Sequence, residues 1–306
     1  MHQDALNGER ALAANASERG LEGSFRSLPL DRSLVAGARV VLVRLPRSLD
    51  ALRDYAALIA AYADPDVCVF AGGRIKHMTT AMNGVLRAHF GRVDVTHARQ
   101  KSRVLVARQP EAGQPVQPRC LEDAGTGLTV CALGGVFAGE RVDHGTRLLL
   151  DHLPDSLPGG TRDDPLIDLA CGSGVVASWL ATRHPDAHVL ACDQSAAAVR
   201  SADASAEANG VRARVTVTRD DALSARPDAS ASLVALNPPF HSGAALTTAL
   251  AEHLFSDAAR VLRPGGQLWC VWNSPQSYRP LLQRIVGPTR QVARDARFTV
   301  TVSTKR

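Results

Sequence analysis

The chain has 306 residues, long for one typical domain and short for three, so two domains are the starting expectation. Its 45% hydrophobic and 21% charged content is that of a soluble globular protein, with no apolar run near the roughly 18 residues of a membrane span. The net charge of +5 is unevenly spread: residues 36–119 hold 13 Arg and Lys against 6 Asp and Glu, whereas residues 120–306 hold 18 against 19.

A phosphate backbone is the commonest target of such a basic segment, because basic side chains release condensed counterions from nucleic acid; a solvated Arg-rich surface is the alternative. The N-terminus carries scattered charges (Glu9, Arg10, Glu18, Arg19) with no apolar stretch behind them, which speaks against a secretory signal and for the cytoplasm. Six widely spaced cysteines without a Cys-x-x-Cys pair suggest neither a zinc site nor a disulfide framework, and no metal is expected.

Residues 1–35, rich in Ala, Ser, Gly and Glu without sustained periodicity, are expected to be a flexible leader or a short helix with little order. A strand is predicted over 40–45, a helix over 48–62 and a strand over 67–70 that ends at Gly72 and Gly73. A second helix over 75–90 and alternating strands over 92–99 and 103–108 complete a first α/β domain, 36–109. The Pro- and Gly-rich stretch around Pro110, Pro115 and Pro118 reads as a linker, 110–128, before the domain 129–306. There a helix over 144–152 precedes strands over 165–170, 187–192, 212–218, 232–236 and 267–272, separated by helices. Two last strands, 290–294 and 298–303, are too close for a crossover and so form a hairpin. The expected fold is a doubly wound, mostly parallel α/β sheet with an antiparallel edge. Residues 40–108 and 232–304 share one order of elements, even to the turns Ala98-Arg99-Gln100-Lys101-Ser102-Arg103 and Ala293-Arg294-Asp295-Ala296-Arg297. The first domain thus reads as the back half of the same fold.

Chemistry concentrates at the predicted strand ends of the second domain. The strand Ile167-Asp168-Leu169 runs into Ala170-Cys171-Gly172-Ser173-Gly174, a turn whose glycines let a ligand approach the backbone. Gly172-x-Gly174-x-x-Ala177 also satisfies the dinucleotide fingerprint, so a nicotinamide enzyme has to be weighed. Asp168, four residues before the first glycine, favours a methyltransferase, which uses such an acid near the amino-acid end of its cofactor. Asp193, followed by Gln194, ends the next strand and can accept both ribose hydroxyls of an adenosine; Asp193 or Ser195 can equally cap the following helix. After the third strand, Asp220-Asp221-Ala222 offers an acid or a backbone group to an adenine edge, or is a solvated pair.

At the end of the fourth strand stands Leu236-Asn237-Pro238-Pro239-Phe240, for which a dehydrogenase has no use. The Asn237 side-chain oxygen and the Pro238 carbonyl can each accept one hydrogen of a planar NH2 and aim its lone pair at a sulfonium methyl. Pro239 stiffens the turn and Phe240 offers a ring to stack on. The nucleophile belongs to the substrate, so no Ser, Cys or metal is required, and His241 reads as a neighbour.

Residues 135–306 resemble the bacterial ribosomal RNA guanine-N2 methyltransferases, enzymes built from two tandem methyltransferase-like domains. The resemblance rests on the run from Val136 to Leu150, the turn from Asp168 to Gly174, and Asn237 to His241. It implies a Rossmann-like class I methyltransferase domain preceded by a partial, degenerate copy, with S-adenosylmethionine as cofactor. It also implies that Phe137, Asp143, Gly145 and Thr146 lie against the methionine part of that cofactor, with a helix start capped by Asp143 as the alternative. The degenerate copy would help hold ribosomal RNA or a ribosomal subunit through Arg44, Arg47, Arg74, Lys76, Arg99, Lys101 and Arg103. Arg44-Leu45-Pro46-Arg47 stands there in place of the Asn-Pro-Pro-Phe run. The chain departs from the family in that the front half of the first copy is missing or replaced by residues 1–35. The expected reaction is methyl transfer to guanine N2 by a monomeric enzyme; adenine-N6 or protein glutamine methylation, or a non-catalytic RNA-binding assembly factor, are the alternatives.

Overall fold

The computed structural model describes residues 1–111, 113–239 and 244–306. The chain divides into two compact units, one comprising Met1–Asp4, Gly8–Pro118 and Leu133–Gly139, the other Ala5–Asn7, Arg119–Ala132 and Glu140–Arg306.

Of the two forms expected for residues 1–35, a flexible leader or a short helix, residues 6–18 take the second and form α1 (Leu6–Glu18). Its Ala-rich composition favours a helix without an apolar stripe. The start of the chain is tied down, with Leu28 N–H donating to the Met1 carbonyl. A short α2 (Arg32–Val35) is capped by the Asp31 carboxylate, which accepts from Ser33 N–H. Then come β1 (Val40–Arg44), α3 (Leu49–Tyr62), β2 (Cys68–Arg74), α4 (Thr80–Arg87), β3 (Phe90–Val95) and β4 (Ser102–Pro110), with Ser48 Oγ capping α3. The predicted helix over 75–90 is shorter because Ile75–His77 form a separate 3-10 turn and β3 already begins at Phe90.

The sheet order is β1-β2-β4-β3, with β1 parallel to β2 and β4 antiparallel to its neighbours. Leu52, Leu58 and Ile59 of α3 and Met82 and Leu86 of α4 are buried, as are Val69, Ala71, Leu105 and Ala107 of the sheet. On β1 and β2, the register partners Leu42 and Phe70 are exposed, Leu42 at 79%. Residues 133–139 join this unit because Gly134 lies on α3: its N–H donates to the buried Asp54 Oδ2 at 2.6 Å, and a Cβ there would meet the Asp50 backbone at 2.3 Å.

In the second unit the expected linker is instead partly a hairpin, β5 (Arg119–Asp123) and β6 (Leu128–Ala132). Its register sets Cys120 opposite Cys131 and the two form a disulfide, correcting the expectation that no cysteines pair. Spacing alone does not reveal the bond, since only the hairpin brings the two Cα atoms to 4.0 Å. The elements α5 (His144–Leu150), β7 (Leu166–Leu169), α6 (Val175–Arg183), β8 (Val189–Asp193), α7 (Ala196–Ala208), β9 (Val215–Arg219), β10 (Ala231–Leu236), α8 (Ala244–Val261), β11 (Leu262–Asn273), α9 (Arg279–Ile285), β12 (Thr289–Arg294) and β13 (Phe298–Thr304) follow.

The seven-stranded sheet has the order β12-β13-β11-β10-β7-β8-β9, parallel from β11 to β9 and antiparallel at β13 and β12. Its apolar strands are buried on both faces: Leu149, Val176, Leu180, Ala202 and Trp269 lie in one cluster, Phe255, Ala258, Trp272 and Leu282 in the other. The run β10-β11-β13-β12 has the same order and strand senses as β1-β2-β4-β3.

Candidate active site

Parallel strands β7, β8, β9 and β10 end at the same edge of the sheet, where open α/β sheets hold their ligands. After β7 the chain turns through Ala170 (φ 57°), Cys171, Gly172 (φ 54°), Ser173 and Gly174 (φ 73°) into α6. A Cβ on Gly174 would stand 2.8 Å from Ala202 Cα and Cβ, so glycine is needed for α7 to pass this close, while Gly172 faces open space. The nearly buried Asp168 accepts from Ala177 N–H at 2.9 Å. Burial raises its pKa to about 7, opposed by that hydrogen bond and helped by the negative charge of Asp193.

Asp193 ties two loops together, one oxygen accepting from Gly172 N–H at 3.0 Å and the other from Ser195 N–H at 2.9 Å. Ser195 Oγ is the cap of α7, accepting from Ala198 N–H. The Gln194 carbonyl accepts from Arg219 Nε at 3.3 Å.

The pair Asp220 and Asp221 is divided. Buried Asp220 folds its own loop, accepting from Asp221 and Ala225 N–H at 2.8 Å each. Asp221 Oδ1 lies 3.0 Å from Nε2 of His253 on α8. Ala222 has φ 53°, and with Ala170 it marks left-handed backbone at a non-glycine residue beside the strand ends. His253 was not legible in the sequence, since only the folding of α8 sets it beside Asp221.

At the end of β10, Asn237 Nδ2 donates to Thr146 Oγ1 at 2.9 Å and to Asp143 Oδ2 at 3.4 Å. Asp143 is the cap of α5, its Oδ2 accepting from Gly145 N–H at 2.9 Å and Thr146 N–H at 3.3 Å. A Cβ on Gly145 would meet the Phe298 ring at 2.8 Å, so glycine lets α5 start against β13. The Asn237 Oδ1 atom is buried and without a hydrogen-bond partner among the described residues. Such an atom is costly unless a ligand supplies a donor. Pro238 is buried and Pro239 exposed; Phe240 and His241 lie outside the described residues.

Thus Asp143, Gly145, Thr146, Asp168, the glycine turn, Asp193, Gln194, Asp221, Ala222, Asn237 and Pro238 all belong to the second unit, most of them at the turns that follow its parallel strands. Phe137 belongs to the first unit and is 43% exposed.

In the first unit, His77 is held below its ordinary pKa by loss of hydration and by the charges of Lys76, Arg47 and Arg74, which form one cationic cluster around it. Arg44 ends β1; Arg99 and Lys101 lie in the turn between β3 and β4, and Arg103 lies in β4. None of these seven cations pairs with a carboxylate among the described residues. The described residues hold no cluster of His, Cys, Asp and Glu able to bind a metal, and no helix long and apolar enough to cross a membrane.

A family model described as the methyltransferase small domain matches residues 127–302, and one described as the RLMG N-terminal domain matches residues 1–111. The chain is 36% identical over 311 residues to the ribosomal RNA large subunit methyltransferase G of Streptomyces coelicolor, an alignment that covers 99% of this chain and 81% of that protein. To the protein of that name from Pseudomonas aeruginosa it is 33% identical over 302 residues, covering 97% and 79%. Among solved structures, the T. thermophilus 16S rRNA N2 G1207 methyltransferase in complex with AdoMet and guanosine shares the fold, with a TM-score of 0.80 at 24% identity over all of this chain and 81% of that one.

Proposed function

This chain belongs to the ribosomal RNA large subunit methyltransferase G family, and on that premise we propose that it transfers a methyl group from S-adenosylmethionine to the exocyclic N2 of a guanine in ribosomal RNA. The observation that carries the proposal is the Asn237 amide, whose buried Oδ1 has no partner among the described residues while its Nδ2 is fully engaged. A flat NH2 supplies the donor that this oxygen lacks. Oδ1 and the Pro238 carbonyl then take one hydrogen each and turn the nitrogen lone pair toward the reacting methyl. Phe240 is proposed to stack on the base, and Pro239 to stiffen the turn beneath it.

The residues of the second unit suit the cofactor. Open space before Gly172 admits a ligand to the backbone of Cys171-Gly172-Ser173-Gly174. Asp193 and Gln194 are assigned to the ribose, Asp221 and Ala222 to the adenine edge, and Asp168 and Ala170 to the amino-acid end. When bound, the cofactor supplies an electrophilic methyl on a sulfonium, which leaves as a thioether when the amine displaces it. The nitrogen that receives the methyl is then acidic enough to lose a proton to water, so this chain needs no side-chain base.

The first unit is proposed to be the degenerate copy, holding ribosomal RNA or a ribosomal subunit through Arg44, Arg47, Arg74, Lys76, Arg99, Lys101 and Arg103. The same reading has the enzyme act as a monomer in the cytoplasm. Mass mapping of ribosomal RNA from a strain lacking the protein should reveal one unmethylated guanine, and the purified chain should restore tritiated methyl to it. Cofactor binding without transfer to any acceptor would support an assembly factor, and label on adenine N6 or a protein glutamine would move the acceptor.

A further inference from the structure

An asparagine amide can sit in either of two orientations related by a half-turn, one presenting Oδ1 to the site and the other presenting NH2. Only the first can accept from a substrate amine; the second sets donor against donor. A chain that relies on Asn237 therefore needs something to choose between them, and the structure has it in α5. Thr146 Oγ1, on a residue only 7% exposed, accepts from Nδ2 at 2.9 Å and fixes where the amide sits. Asp143 fixes its polarity, because a carboxylate only accepts and would repel an inward-turned Oδ1. Asp143 is itself held by Gly145 and Thr146 N–H, and the absence of a side chain at Gly145 lets α5 begin there.

We propose that Asp143 and Thr146 are positioning residues for methyl transfer, locking the Asn237 amide with Oδ1 toward the substrate amine; the inference rests on the reading of Asn237 given above. It assigns both residues a task other than contact with the methionine part of the cofactor.

Three variants test it in the full chain. Thr146→Val removes the acceptor while keeping the shape, and Thr146→Ser keeps the acceptor. Asp143→Asn remains a good helix cap but offers the amide a donor as well as an acceptor. At saturating cofactor and RNA, Thr146→Val should lower single-turnover methyl transfer about a hundredfold, the loss expected from a misplaced reacting group. Thr146→Ser should restore most of that rate and Asp143→Asn should fall between. Calorimetric affinity for S-adenosylmethionine should change less than about twofold in all three. A second readout needs no turnover: in protein labelled with 15N-asparagine, the Asn237 side-chain NH2 should exchange slowly with water in the parent and in Thr146→Ser, and quickly in Thr146→Val.

Weakened cofactor binding with an unchanged rate in Thr146→Val would overturn the lock in favour of cofactor contact. An unaltered Asn237 NH2 signal would overturn it as well. Full activity in Asn237→Ala would instead bring down the underlying reading of the amide, and the lock with it.

Discussion

Replacing Asn237 by alanine removes the oxygen that waits for a donor, and leaves the glycine turn and Asp193 as they are. Turnover should fall roughly 100- to 1000-fold, the usual effect of deleting one preorganised polar group at a reacting centre. The dissociation constant for S-adenosylmethionine, measured by calorimetry, should stay where it is; a parallel loss of both would assign Asn237 to the cofactor. Asp193→Ala should do the reverse, weakening cofactor binding at least tenfold, since the carboxylate also holds Gly172 and Ser195 N–H in place. Asp168 adds a pH dependence. Its pKa stands at about 7 in the fold against an ordinary 3.8, so the native chain keeps a proton that the unfolded chain has released. Stability from this group is therefore lost as pH rises from about 4 to about 7. Asp168→Asn should raise the melting temperature of the ligand-free protein more at pH 8 than at pH 5. Equal shifts at both pH values would mean that Asp168 carries no such proton.

At the scale of elements, Gly174 joins a left-handed turn to the crossing of α6 and α7. Gly174→Ala combines about 1–2 kcal/mol of backbone strain with a 2.8 Å encounter with Ala202, and should lower the unfolding midpoint in denaturant and weaken cofactor binding together. This turn was legible from sequence, as were Asp193 and Asn237, because each follows directly on a run of apolar residues that the sheet buries on both faces, such as 166–169 or 231–236. Contacts between distant elements were not legible. Thr146 meets Asn237 across 91 residues and His253 meets Asp221 across 32, and no local pattern encodes either meeting. The hairpin of β5 and β6 is hidden by the prolines at 115 and 118 that precede it and by its short strands. What pins it is α7, whose Ser205 Oγ accepts from Cys131 N–H and whose Asn209 exchanges hydrogen bonds with Thr129. For α1 the sequence leaves a helix and a flexible leader side by side, because alanine gives a helix no periodic signature.

Across the whole molecule, the basic surplus lies in residues 36–119, where Arg44, Arg47, Arg74, Lys76, Arg99, Lys101 and Arg103 pair with no carboxylate among the described residues. Converting Arg44 and Arg74 together to glutamate should weaken RNA binding and lower the slope of log affinity against log salt by about 2, roughly 0.9 for each lost phosphate contact. Cofactor affinity should not respond; a slope that stays the same would remove these two residues from the RNA surface. The first sheet has one more consequence. Its β1, Val-Val-Leu-Val-Arg, occupies the place that β10 holds in the second sheet, yet among the described residues β10 has a strand on either side and β1 has only β2. Ribosomes release this half of the chain first, so newly made molecules present an unshielded greasy border to one another before the remainder has emerged. Crowded expression should therefore favour clumping through that border, and a lysine at Leu42 would serve as a gatekeeper, raising soluble yield while methylation proceeds as before.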